Sequence, residues 1–158
     1  MSVSILFAHE KVASVEDAID HLESCNILVM SAAVGDFAAE TLEKEKIKKT
    51  SKAGQNLNLI PTKDILMEVS KIKTQQFVVG FAAETQNLIQ SALEKLRNKK
   101  LDLIVANDIS APGIGFQSDN NQVTLVDSNE QVENLPRMAK QEIANILLDK
   151  ISRDALRK

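Results

Sequence analysis

The chain has one cysteine, no tryptophan, no tyrosine and two histidines, and each scarcity closes off a class of function. A lone Cys25 cannot form an internal disulfide or anchor a cysteine-based metal framework, which fits a cytoplasmic setting. It precedes an apolar run and reads as a small core residue rather than a nucleophile. With 19 basic against 22 acidic residues and a net charge of −3, the chain lacks a basic excess as well as stacking aromatics, so nucleic acid is not an expected partner. His9 and His21 lie apart, one in a predicted loop and one on a predicted helix, and receive no catalytic role. No apolar run approaches the roughly 20 residues of a membrane span. Residues 1–7 carry no basic leader, and their apolar stretch is too short for a secretory signal. No G-x-G-x-x-G follows a strand, which argues against an NAD-dependent oxidoreductase.

What is present alternates between strands and helices. At 158 residues the chain has room for one domain that buries roughly 70% of its unfolded surface. A first strand is expected over 3–8. A helix of about three turns follows, with Ser14 as its N-cap and Val15, Ala18, Ile19 and Leu22 at helical spacing. Residues 27–32 read as a strand buried on both faces, since Ile27, Leu28, Val29 and Met30 are apolar without alternation. The lysine-rich part over 40–59 reads as a flap or β-arm, with Gly54 and Asn56 as turn residues and a short strand signal at Leu57, Leu59 and Ile60. Thr62 is a candidate N-cap for a helix with Ile65, Val69 and Ile72 inward. Strands over 76–81 and 101–106 flank a helix marked by Leu88, Ile89, Ala92 and Leu96. A loop over 109–117 leads to a last strand over 123–126. Pro136 then opens a helix reaching about Leu156, with Met138, Ile143, Ile146, Leu147 and Ile151 inward. This order implies a mainly parallel sheet with helices on both faces, a Rossmann-like three-layer α/β fold with a lysine-rich flap.

Several strand ends look cleared for a ligand. After Met30 the side chains shrink to Ser31, Ala32, Ala33 and Gly35, which would bare the backbone at the carboxyl end of a strand, where open α/β sheets bind ligands. Asp36 brings a carboxylate to that rim, and Lys44, Lys46, Lys48 and Lys49 bring cations a loop later. Ala82 and Ala83 repeat the small-residue ending, and Gly80 marks a strand position that a ligand or backbone approaches closely. Phe81 could cover a base or fill the core. Lys95 and Lys99, four apart on a helix, stack like charges in a way that invites an anion, although exposed lysine pairs are common. On composition alone, the small residues let a helix pack close and the lysines form a solvated flap.

The order of motifs adds a resemblance. Ala-Ala-Val-Gly-Asp-Phe37, Lys-Ile-Lys-Lys49, Val79-Gly-Phe-Ala-Ala-Glu-Thr85, Leu101-Asp-Leu-Ile-Val-Ala-Asn-Asp108 and the later Gly-Phe-Gln-Ser-Asp-Asn-Asn121 resemble phosphopantothenoylcysteine synthetase, the second activity of the bifunctional coenzyme A biosynthesis flavoprotein of bacteria. The resemblance implies a ligase that joins 4′-phosphopantothenate to cysteine through an acyl-cytidylate, with CTP as co-substrate and Mg²⁺ as cofactor. It implies Lys46 as the catalytic cation, and Ala32, Ala33, Asp36, Phe81, Lys95, Lys99 and Asn107 as nucleotide-binding residues, with no protein metal site. A homodimer formed through the arm and a phosphopantothenoylcysteine decarboxylase domain or subunit are the implied partners. Family members usually begin with a strand, a glycine loop and a Ser-Ser-Gly-Lys-Met-Gly helix start, and nothing in residues 1–13 matches. The expectation is therefore a single synthetase-type domain without its first strand and helix. The alternative is a non-catalytic nucleotide-binding or assembly fragment that needs that unit for activity.

Overall fold

The structure, a computed structural model, describes residues 3–8, 14–32, 34–41, 45, 56–109 and 118–157. Its centre is a six-stranded sheet in the order β1-β2-β5-β6-β8-β9. Strands β1 (Ile5–Ala8), β2 (Ile27–Met30), β5 (Phe77–Glu84) and β6 (Leu103–Asp108) run parallel. Strands β8 (Val123–Asp127) and β9 (Val132–Asn134) extend the sheet antiparallel, each to its inner neighbour. Helices α1 (Val15–Leu22), α2 (Ile65–Ile72) and α3 (Leu88–Asn98) pack Ala18, Val69 and Leu96 against Leu28, Val78 and Ile104 on one face. Helix α4 (Lys140–Ala155) covers the other face, setting Ile143, Leu147 and Ile151 against Val29, Val79, Val105 and Leu125. Burial on both faces explains why these strands read as unbroken apolar runs. None of the described helices is long and apolar enough to cross a membrane.

Local chemistry accounts for most of the boundaries. Ser14 caps α1 as expected, its Oγ accepting from the Asp17 N–H at 3.0 Å. At the end of α3, Lys100 adopts φ 48°, the Leu101 N–H reaches back to the Leu96 carbonyl at 2.9 Å, and the Lys100 N–H reaches the Arg97 carbonyl at 3.2 Å. This is a Schellman closure with lysine at the left-handed position where glycine is usual. Cys25 is buried, and burial pushes its thiol above its ordinary pKa, as suits a core residue.

Several expectations are corrected. The cap of α2 is Asp64, whose Oδ1 accepts from the Met67 N–H at 3.1 Å; Thr62 lies too early because Pro61 still belongs to a strand. Helix α4 begins at Lys140 rather than Pro136, because β10 (Met138–Ala139) is drawn into antiparallel pairing with β7 (Asn120–Asn121). Only half of a capping box closes there: Glu142 accepts from the Ala139 N–H at 3.2 Å, while alanine has no oxygen to return the bond. Strand β5 runs on to Glu84, so Ala82 and Ala83 lie within it. Gly80 is small for packing rather than for a ligand, since a Cβ there would stand 2.8 Å from Leu101 Cδ1 and 3.2 Å from Leu66 Cδ1. The root of the expected arm is a two-stranded ladder, β3 (Phe37–Ala39) against β4 (Leu59–Pro61). Lys44, Lys46, Lys48, Lys49 and Gly54 fall outside the described residues, as does Ala33.

Candidate functional site

The carboxyl ends of β2, β5 and β6 form one rim. Register places Met30 beside Gly80, Ala83 beside Asn107 and Glu84 beside Asp108. Because side chains alternate along a strand, Phe81 and Ala83 share the α4 face with Asn107, while Ala82 and Glu84 turn to the α1–α3 face. Phe81 is 44% exposed there, and Ala83 is exposed as well. The reading of Phe81 as a core aromatic is therefore not what the fold shows. Asn107 carries an anomaly here. Among the described residues its buried Oδ1 has no hydrogen-bond partner, a deficit worth about 1–3 kcal/mol.

The loop after β2 is tied down by Thr62. The Thr62 hydroxyl donates to the Gly35 carbonyl at 2.6 Å, and its N–H donates to the Asp36 carbonyl at 2.9 Å. Asp36 is exposed beside this brace, and Ala32 is half-buried against the core. Two residues beyond Thr62, the Asp64 carboxylate both caps α2 and holds the Lys99 ammonium at 2.7 Å. Burial alone would raise the Asp64 pKa, but Lys99 and the Met67 and Leu66 N–H groups outweigh it and hold the carboxyl below its ordinary value. One turn earlier on α3, Lys95 reaches Glu84 at the end of β5, with Nζ 2.5 Å from Oε1.

The sequence-predicted residues thus divide. Phe81 and Asn107 sit on one face of the rim; Lys95 and Lys99 rise from the helix layer on the other, and both lysines are already paired with carboxylates. Glu84 and Asp64 were not singled out by sequence reasoning, and Thr62 was named only as a helix cap. Glu84 stands inside a quoted motif, but no local pattern links Asp64 with Lys99 or Thr62 with Gly35. Among the described residues no three His, Cys, Asp or Glu side chains converge as a metal site.

The chain is similar to known proteins in sequence and in fold. Residues 3–155 match the family described as DNA/pantothenate metabolism flavoprotein C-terminal domain. The coenzyme A biosynthesis bifunctional protein CoaBC of Bacillus subtilis (strain 168) is 43% identical over 143 residues, covering 90% of this chain and 34% of that protein. Its counterpart in Escherichia coli (strain K12) is 39% identical over 153 residues, covering 94% of this chain and 36% of that protein. The chain therefore spans about a third of the length of these relatives. A crystal structure of the C-terminal domain of CoaBC superposes with a TM-score of 0.72 at 29% identity, covering 91% of this chain and 62% of that one. Matched along almost its whole length and sharing the three-layer architecture, this chain belongs to the DNA/pantothenate metabolism flavoprotein C-terminal domain family.

Proposed function

We propose that this domain works in coenzyme A biosynthesis as a ligase joining 4′-phosphopantothenate to cysteine through an acyl-cytidylate, with CTP as co-substrate. The observation that carries the reading is the family match over residues 3–155, which takes in every motif around the rim. The rim supports it. Phe81 offers an open ring face to a base, and the orphan Asn107 Oδ1 is an acceptor for a ligand N–H or O–H, such as a nucleobase amine or a ribose hydroxyl. Lys95 and Lys99 supply cations for phosphates, and Asp36 and the backbone near Ala32 and Ala33 complete the nucleotide contacts. Mg²⁺ would supply charge neutralisation on the triphosphate.

The reaction needs a cation because a carboxylate becomes a good electrophile only after one of its oxygens is converted to a leaving group. Attack on the α-phosphate builds negative charge on the phosphoryl oxygens, and a fixed ammonium lowers that barrier. Lys46 is the residue assigned to this role. The arm also supports a homodimer, since Phe37, Leu59 and Ile60 at its root are 61%, 54% and 45% exposed. A fused or separate decarboxylase is the partner proposed by the bifunctional relatives, and a cytoplasmic location follows from that pathway role. The test is calorimetric titration with CTP and ATP in Mg²⁺, followed by mass spectrometry of a mixture with phosphopantothenate and cysteine. CTP should bind more tightly than ATP, and Lys46→Gln should lower acyl-cytidylate formation without changing the melting temperature. Equal affinities remove the pyrimidine preference. Binding without acyl-cytidylate favours the non-catalytic nucleotide-binding reading.

A further inference from the structure

In this structure the two lysines read as phosphate ligands present almost no free charge. Lys95 Nζ lies 2.5 Å from Glu84 Oε1, and Lys99 Nζ lies 2.7 Å from Asp64 Oδ2. Neither carboxylate comes from the lysines' own helix. Glu84 ends β5, and Asp64 opens α2 just after the Thr62 brace, so the pairs are set by how the layers meet at the rim. Each pair is sheltered on one side only: the Glu84 and Lys99 side chains are 16% and 21% exposed, while their partners Lys95 and Asp64 are 42% and 46% exposed, so salt screens these pairs in part.

We propose that Glu84 and Asp64 are counter-ions that a nucleotide's phosphates displace, holding Lys95 and Lys99 neutralised until the triphosphate takes over the ammonium groups. This rests on the reading of those two lysines as nucleotide ligands. A carboxylate and a phosphate compete for the same three N–H donors of an ammonium, and phosphate gains over carboxylate through its greater charge. The exchange discriminates. A mono-anion gives up as much pairing as it gains, whereas a triphosphate carries enough charge to replace both carboxylates at once. Asp64 can release Lys99 without becoming an orphan, because the N–H groups at the start of α2 still face it. Glu84 has no such cap, so its release is the costlier of the two.

The test uses inorganic tripolyphosphate, which isolates the phosphate contacts, titrated calorimetrically into the full chain over a salt series. Glu84→Gln and Asp64→Asn keep shape, and asparagine remains a good N-cap. From the Coulomb coupling of one removed charge at a near-surface site, each should bind tripolyphosphate about three- to tenfold more tightly at low salt, the gain fading as salt rises. Monophosphate should gain less. Glu68→Gln, which neutralises the partner of Lys71 on α2, should leave affinity unchanged. Thermal melts establish that each variant is folded. Unchanged or weaker binding in folded Glu84→Gln and Asp64→Asn overturns the counter-ion role while leaving the lysines in place. Undiminished tripolyphosphate binding in Lys95→Gln and Lys99→Gln instead overturns the reading of the lysines themselves, and the counter-ion role with it.

Discussion

Replacing Gly80 by alanine tests whether the centre of the sheet is as tightly closed as its geometry indicates. Gly80 is paired on both sides, to Met30 and to Ile104, and its missing side chain faces Leu101 and Leu66. An alanine Cβ would sit 2.8 Å from Leu101 Cδ1, inside any real carbon contact, and 3.2 Å from Leu66 Cδ1. The obstacles are leucine methyl groups rather than backbone, so they can turn. Both leucines are buried, however, at 4% and 8% exposure, and have little room to turn into. Overpacking of this kind costs about 1–3 kcal/mol, and the smaller entropy of the unfolded alanine chain returns roughly 0.4–1 kcal/mol. The net loss should be about 1–2 kcal/mol, or a melting temperature lower by about 3–6 °C for a domain of this size. Urea titration should show a lower midpoint at unchanged slope. Leu101→Ala removes the methyl group that the new Cβ strikes, so the double variant should lose at least about 1 kcal/mol less than the sum of the single losses. A Gly80→Ala protein as stable as the parent, or strict additivity with Leu101→Ala, would refute the packing explanation.

Two further predictions concern charge. Asp102 Oδ2 accepts from the Val78 N–H at 2.7 Å and from the Lys73 ammonium, with side chains 11% and 8% exposed; Asp102→Asn should cost about 3–5 kcal/mol in urea unfolding, and Lys73→Met in that background should recover part of it. Asp64, whose folded pKa is depressed, should contribute stability that is present above the unfolded value of about 3.9 and is lost as the pH falls through the lower folded value. The stability difference between the parent and Asp64→Asn, followed by denaturation from pH 6 downward, should therefore shrink in acid; a constant difference would dissociate Asp64 from the effect.

The central strands were legible because burial on both faces leaves an unbroken apolar signature between turns, as in Ile27 to Met30 and Phe77 to Val79. The short strands were not. Met138 and Ala139 look like the first turn of a helix, and only pairing with Asn120 and Asn121, distant in sequence, makes them strand. Thr62 and Asp64 are both good caps by type, and the choice between them was made by β4 continuing through Pro61. The same limit applies to the site. Phe81 and Asn107 belong to strands whose apolar runs periodicity can locate, although β5 runs past its expected end at Phe81 to Glu84. The partners of Lys95 and Lys99 are chosen by how α3 lies against β5 and α2, which no run of neighbouring residues encodes.

The place of β5 in the middle of the sheet also sets an order in time. Its amides are bonded to β2 on one side and β6 on the other, with helices in front and behind, so freeing them requires nearly the whole domain to open. Strand β1 lies at the edge, with Ile5 and Phe7 41% and 49% exposed, and can detach for far less. The rim spans this gradient. Glu84 and Asn107 stand on the strands that persist longest, whereas Gly35 and Asp36 hang from a loop stitched to Thr62 by two hydrogen bonds. A nucleotide bound as proposed would therefore rest on a floor that opens only with the domain and against a wall held by two hydrogen bonds.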